Sequence, residues 1–341
     1  MDSQVFILNE KRNVTLTAYL QDDSQEFWRA KKRPAVVIFP GGAYAYCSGR
    51  EADPVAQEYL RAGYHAFVLR YSVGWENAVW PNPLEDYDQA MELIAAHAKE
   101  WHLIPEKIAV IGFSAGGHLA ACAATMAKHR PAAAILAYPV ILEGLAAICA
   151  KGAPGADKAV DSQTCPCFIA ATGTDTTVSA MNSLRFVEAL YENGISAELH
   201  LYAFGPHGFS TARTSIADPA ELCSRTLHWV EDSISWLEDV FGAFTSGEMS
   251  SPRCPGRVRK DKDPYLSVDC LLATIAGNQI AVERLNQLIL VEETTQKWIA
   301  EQKENLLTSE MTLRSALQFL NVPGEVIRKA DEILSEIPNR K

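Results

Sequence analysis

The 341-residue chain holds eight cysteines but no Cys-x-x-Cys pair, and no apolar run comes near the roughly 20 residues that cross a bilayer. It also lacks any excess of basic charge. The net charge of −11 argues against nucleic acid or an anionic membrane surface as the main partner. The first ten residues have neither a basic leader nor a long apolar core, so no signal peptide is expected, and the location expected is cytoplasmic. Cys165-Pro-Cys167 invites a redox or metal reading, but no second Cys or His pair stands at zinc-site spacing. Free thiols are the plainer expectation, with no metal and no cofactor. Hydrophobic residues make up 48% and charged residues 21%, the composition of an ordinary globular protein with a large core.

Strand-like and helix-like segments alternate over residues 1–242. Val14–Leu20 alternates at period two, like an early antiparallel strand. Residues 35–39, 65–71, 107–111, 132–138, 168–172 and 197–203 read as further strands. Residues 53–61, 84–100, 115–124, 179–193 and 219–240 read as helices. This alternation implies a mostly parallel sheet covered on both faces. Between 140 and 164 the pattern weakens around Gly144, Gly152, Pro154 and Gly155. In a parallel sheet this segment lies above the strand ends where ligands bind, as a lid or substrate wall, or else as a plain surface excursion.

Residues 243–264 have a linker composition and carry Arg253, Arg257, Arg259, Lys260 and Lys262. From 265 to 341 only short helical patterns appear. Val268, Leu271, Leu272 and Ile275 share one face, as do Val326, Ala330, Ile333 and Leu334, and Pro323-Gly-Glu325 opens the last helix. Residues 250–341 hold 13 basic and 13 acidic residues, so the whole net charge belongs to the preceding part. The apolar side of these helices could pack on that part, form a homo-oligomer or bind a partner.

Gly112-Phe-Ser-Ala-Gly116 follows the apolar run Lys107-Ile-Ala-Val-Ile111 and precedes the small-residue stretch 116–124. A strand, a sharp turn and a helix in that order make a nucleophile elbow, with Ser114 on the turn. A serine hydroxyl needs a base and an orienting acid, expected downstream in the order acid, then histidine. His207 lies in the loop Phe204-Gly-Pro-His-Gly-Phe209, just after a strand, and is the candidate base. His118, His200 and His228 fall inside elements and read as structural. Asp175 is the only carboxylate between Asp161 and Glu188. It would orient the imidazole, or it would serve only as an Asx-turn or cap. An oxyanion hole needs two backbone N–H donors. Ala115 supplies one, and the loop Pro40-Gly-Gly-Ala-Tyr44 supplies the other from Gly42 or Ala43, unless that loop is a turn with no catalytic part.

With these pieces placed, residues 34–240 resemble the α/β-hydrolase esterases, in particular the acetyl-xylan esterase-like and bifunctional acetyl/feruloyl esterase-like members. The matching segments are Phe39-Pro-Gly-Gly-Ala-Tyr44, Ser48-Gly-Arg-Glu51 with Pro54-Val-Ala56, Phe67-Val-Leu-Arg-Tyr71, Gly112-Phe-Ser-Ala-Gly-Gly-His118, Asn182-Ser-Leu-Arg-Phe186 and His207-Gly208. The resemblance implies an α/β-hydrolase fold, the triad Ser114, Asp175 and His207, and hydrolysis of short acyl esters of sugars or xylo-oligosaccharides. It does not reach residues 250–341. Three departures stand out: Ala43 replaces a third glycine, Thr174-Asp175 replaces paired aspartates, and 140–164 is short. Two other functions remain open, an oligopeptidase-like amidase on the same fold and a non-catalytic scaffold that works through its helical tail.

Overall fold

A computed structural model describes residues 2–22, 24–288, 297 and 300–339. The chain divides into two compact units, Met1–Gly256 and Arg257–Lys341. In the first, eight strands form one sheet: β1 (Asp2–Asn9), β2 (Val14–Leu20), β3 (Arg33–Phe39), β4 (His65–Arg70), β5 (Leu103–Phe113), β6 (Ala133–Ala137), β7 (Cys167–Thr172) and β8 (Ala197–Tyr202). Their spatial order is β1-β2-β4-β3-β5-β6-β7-β8. β1 and β2 pair antiparallel with each other, β2 pairs antiparallel with β4, and every other pairing is parallel. This is the α/β-hydrolase architecture. β1 is mostly exposed, with Val5 and Ile7 facing solvent, and so gives no alternating burial signal in sequence.

β3, β6, β7 and the second half of β5 run apolar without alternation because both faces are covered. Ala35, Val37 and Phe39 of β3 and Ile108 and Val110 of β5 enter one core, packed by α2 (Asn82–His97) and α3 (Ala115–Met126). Val36, Ile38, Ala109, Ile111 and Phe113 enter the other, under α1 (Asp53–Arg61) and a helix at Trp229–Phe241. α3 is buried from Ala115 to Thr125, which explains its run of small residues. Helices α4 (Glu143–Cys149) and α5 (Met181–Glu192) follow, and α6 is Trp229–Phe241.

The helix expected at 219–240 does not form as one piece. Asp218 caps a short 3-10 turn at Pro219–Glu221, and the chain is then extended at Leu222, where both Leu222 and Cys223 are buried. The Cys223 N–H donates to the Phe204 carbonyl at 3.3 Å, and a second 3-10 turn, Ser224–His228, leads into α6. Residues 140–164 contain α4 and a 3-10 turn at Asp157–Ala159 rather than loop alone.

The boundary between the units falls at 256/257, inside the 243–264 segment. Its first half is tied into unit one: Phe244 bridges Met249 and sets its ring against Tyr64, and the Arg253 and Cys254 N–H groups donate to the Asp239 carbonyl. The basic residues of the segment are largely paired, Arg253 with Asp239, Arg259 with Asp261 and Glu310, and Lys260 with Asp263.

Unit two is helical: α7 (Leu272–Ala276), α8 (Gln279–Leu288), α9 (Lys303–Thr308), α10 (Leu313–Phe319) and α11 (Gly324–Leu334). Its core gathers Leu266, Val268, Ile275, Leu285, Leu317 and Leu334 among others. Val268 is buried ahead of α7 rather than on a helix, with its N–H bonded to Asp331 Oδ1 at 3.0 Å. In α11 the buried face is Ile327, Ala330 and Leu334, with Ile333 packed beside it, so the expected face holds except that Ile327 takes the place of Val326. Among the described residues, no helix is long and apolar enough to cross a membrane.

Candidate active site

The sheet order places the candidate site. β3 neighbours β5, and β5, β6, β7 and β8 are consecutive and parallel, so the loops after β3, β5, β7 and β8 meet at the C-terminal end of the strands. Phe39 pairs with Gly112, which sets the loop after β3 beside the turn after β5. A Cβ on Gly116 would lie 2.1 Å from the Phe39 carbonyl oxygen, so the helix can start this close to β3 only without a side chain there.

Ser114 sits between β5 and α3 with φ 52° and ψ −115°, a conformation that non-glycine residues seldom adopt. It is held there: its N–H donates to the Ala137 carbonyl, and its carbonyl accepts the N–H groups of His118 and Val140. Such backbone strain persists where the surroundings over-determine it. Its Oγ lies 2.9 Å from His207 Nε2, and His207 Nδ1 lies 2.7 Å from Asp175 Oδ2. Because a carboxylate only accepts, Nδ1 carries the proton and Nε2 accepts from Ser114. The structure thus brings Ser114, Asp175 and His207 together in one chain of hydrogen bonds.

Asp175 meets both readings open to it from sequence. Oδ1 accepts the N–H groups of Thr177 and Val178 at 2.8 and 2.9 Å, an Asx-type turn, while Oδ2 faces the imidazole. Burial raises the acid's pKa. The His207 bond and the Val178 and Thr177 amides outweigh it, leaving the carboxyl below its ordinary value. Thr174 has a separate task. Its Oγ1 donates to the Gly205 carbonyl and accepts the Gly205 N–H, which pins the start of the His207 loop. Asp175, rather than position 174, carries the carboxylate that meets His207.

In the loop after β3, Gly42 has φ 126°, and a Cβ there would lie 2.2 Å from the Tyr46 carbonyl oxygen. Ala43 and Tyr44 follow at φ 53° and 58°. The Gly41 N–H is bound by Glu51 Oε2 at 2.8 Å. Among the described residues, the Gly42 and Ala43 N–H groups have no acceptor in the protein. Other bonds fix this loop: Tyr71 O–H to the Pro40 carbonyl at 2.6 Å, Gly74 N–H to the Tyr44 carbonyl at 2.8 Å, and Ser48 N–H to the Gly41 carbonyl at 2.9 Å. Ala115 is fully buried at the first position of α3.

His118 is structural and neutral. It is fully buried, its Nε2–H donates to the Pro154 carbonyl at 2.8 Å, and Nδ1 accepts from Tyr44 O–H at 2.9 Å. It links the loop after β3 to residues 140–164, which are further held by the Asn182 side chain accepting the Ile141 and Leu142 N–H groups. Burial lowers its pKa from 6.5 to about 4, opposed by the bond to Pro154. The unfolded chain therefore takes up this proton near pH 6.5 and the folded chain only near 4, so stability falls as pH drops through that window and levels off below it. The expected result is that His118→Gln flattens the pH dependence of the urea midpoint between pH 6.5 and 4, by up to about 1.4 kcal/mol per pH unit. An unchanged slope would show that His118 titrates normally.

Sequence reasoning assigned no role to Glu51 or Tyr138. Glu51 stood in the Ser48-Gly-Arg-Glu51 segment, and only the fold shows that it reaches Gly41. Among the described residues, no group of three or more His, Cys, Asp or Glu is arranged to hold a metal ion.

The BD-FAE family matches residues 26–140. Endo-1,4-beta-xylanase B of Butyrivibrio fibrisolvens is 31% identical over 229 residues, covering 58% of this chain and 35% of that protein. Acetylxylan esterase of Xylanibacter ruminicola is 29% identical over 197 residues, covering 51% of this chain and 41% of that protein. The chain therefore spans well under half the length of these two curated relatives. The crystal structure of MGS-M1, an alpha/beta hydrolase enzyme from a Medee basin deep-sea metagenome library, superposes with a TM-score of 0.64 at 41% identity. That match covers 70% of this chain and 98% of the other.

Proposed function

This chain belongs to the α/β-hydrolase esterase family, and we propose that it is a serine carboxylesterase acting on short acyl esters, acetyl esters of sugars or xylo-oligosaccharides foremost. The observation that carries the reading is the bond chain Ser114–His207–Asp175, at 2.9 and 2.7 Å, at the C-terminal end of the parallel strands, where the loops after β5, β7 and β8 bring the three side chains together. Ser114 Oγ attacks the ester carbonyl carbon while its proton passes to His207 Nε2. Asp175 stabilises the imidazolium. The tetrahedral oxyanion is met by the Ala115 N–H and by Gly42 or Ala43. Collapse expels the alcohol, which takes the proton from His207 and leaves an acyl-Ser114. Water then gives a proton to His207 and attacks the acyl carbon. The acid leaves and Ser114 regains its proton.

The sugar-ester preference rests on the acetylxylan esterase relative. Exposed Tyr46 and Trp75 support it, on loops joined through the Gly74–Tyr44 bond, since aromatic faces suit the C–H faces of a pyranose ring. The test is a panel run on the full chain: acetylated xylo-oligosaccharides, p-nitrophenyl esters of rising acyl length, and proline-containing peptide amides. Turnover should be fastest for acetyl esters, with the amides far slower. Faster cleavage of the amides would replace this reading with the amidase one, and no turnover with any substrate would favour a scaffold role.

A further inference from the structure

Glu51 is a buried carboxylate that the reaction above does not use. It ends the 3-10 turn Gly49–Glu51 and is 3% exposed. Among the described residues it forms no ion pair, although burying an unpaired carboxylate costs several kcal/mol. Neutral donors hold it instead. Oε2 accepts the Gly41 N–H at 2.8 Å, and Oε1 accepts the Tyr138 O–H at 2.7 Å. The Tyr138 oxygen accepts the Ser210 N–H at 2.9 Å, and its ring stands edge-on to the His207 ring, with centroids 5.0 Å apart. Ser210 Oγ donates to the Arg50 carbonyl at 2.6 Å, from the residue next to Glu51. Tyr138 and Ser210 both have positive φ, 38° and 48°, so these bonds hold strained backbone.

One side chain therefore ties two loops that have no common element. On one side is the loop after β3, whose Gly41 amide is fixed immediately before Gly42 and Ala43. On the other is the loop that carries His207, reached through Tyr138. We infer that Glu51 is a positioning residue that locks the oxyanion loop to the histidine loop, so that oxyanion donors and general base keep one separation. The inference rests on the esterase reading above. An ionised carboxylate suits the place because both oxygens must accept. In Glu51→Gln one atom becomes a donor. If the amide oxygen keeps Gly41, the NH2 faces a Tyr138 oxygen that already accepts from Ser210, and the tyrosine proton loses its acceptor.

The test compares wild type, Glu51→Gln, Tyr138→Phe and the double variant as full chains, with p-nitrophenyl acetate. Each kcat is normalised to the burst of nitrophenol, which counts folded, competent sites. Misplacement on the ångström scale can cost about 100-fold, so Glu51→Gln should lose about 10- to 100-fold in kcat. Its KM should stay near wild type, because the loss falls on the transition state. The double variant should be little worse than the poorer single one, since both break one link. Exchange of the Gly41 amide proton, read by NMR, should quicken in Glu51→Gln on the order of tenfold. Wild-type kcat per site in Glu51→Gln, with Ser114→Ala inactive, would overturn the positioning role and leave the esterase reading intact. A wild type that turns over no ester would overturn that reading, and an unchanged Gly41 exchange rate would then overturn the tie itself.

Discussion

Ser114→Ala is expected to lower kcat for acetyl ester hydrolysis by on the order of 10⁴- to 10⁶-fold and to leave the fold intact. The size follows from what is removed. In the proposed mechanism Ser114 Oγ is the atom that bonds to the acyl carbon, and its hydroxyl is already paired with His207 Nε2 at 2.9 Å. What survives in the variant is the field of the oxyanion donors and the binding surface, which give a residual rate above water but no acyl-enzyme. The fold survives because alanine keeps the Cβ, and the same backbone bonds to Ala137, His118 and Val140 hold the turn at φ 52°. A fluorophosphonate probe should label wild type once, at Ser114, and leave the variant unlabelled. A variant with more than about a hundredth of wild-type kcat would place the nucleophile elsewhere, since a lone nucleophile loses far more.

Asp175→Asn should cost about 10⁴-fold in kcat with little change in volume, through the histidine tautomer. The surroundings decide which way the asparagine amide points. Oδ1 of Asp175 accepts two backbone N–H groups, from Thr177 and Val178, so an asparagine oxygen must stay there. The NH2 is then turned toward His207 Nδ1 and makes that nitrogen an acceptor. The ring proton moves to Nε2, which can no longer accept from Ser114. The same substitution bears on acid stability. The Asp175 carboxyl is held below its ordinary value of 3.8, so its ionised form stabilises the fold above that pH, and the contribution is lost as pH falls through the folded pKa. Asp175→Asn should remove that part of the acid limb. Activity within about tenfold of wild type would mean that another group orients His207, because the wrong tautomer costs far more than that.

Most of the sheet was legible because strands covered on both faces are written as unbroken apolar runs, as in β3, β7 and the Ile108–Ile111 stretch of β5. The elbow was legible because its glycines answer to close backbone approach, a local need. Asp175 and His207 were legible by order and position after strands, while the bond that joins them is long-range. β1 was missed because its exposed residues carry no burial pattern. The split of the 219–240 helix was missed because the Cys223–Phe204 bond that pulls the chain out of helical form joins distant segments. Glu51 and Tyr138 were missed for the same reason. Nothing near residue 51 in sequence says that its carboxylate will meet Gly41 and Tyr138. In unit two the short helices were legible by period, and in α11 only the first position of the expected face changed, because Val326 and Ile327 are both apolar and only packing chooses between them.

The base of the proposed triad hangs from the edge of the sheet. Among the described residues β8 has a neighbouring strand on one side only, β7, and most of its residues are partly or fully exposed, while β5, which leads into Ser114, lies in the middle under both cores. Edge strands open locally at lower free energy than central ones. Mild heat or denaturant should therefore free β8 and His207 while β3, β5 and β6 remain packed, so catalytic competence vanishes before the molecule as a whole comes apart. During synthesis the converse holds. Ser114 and its turn emerge 93 residues before His207, so on the proposed mechanism the nascent chain should stay inert toward esters until β8 has docked.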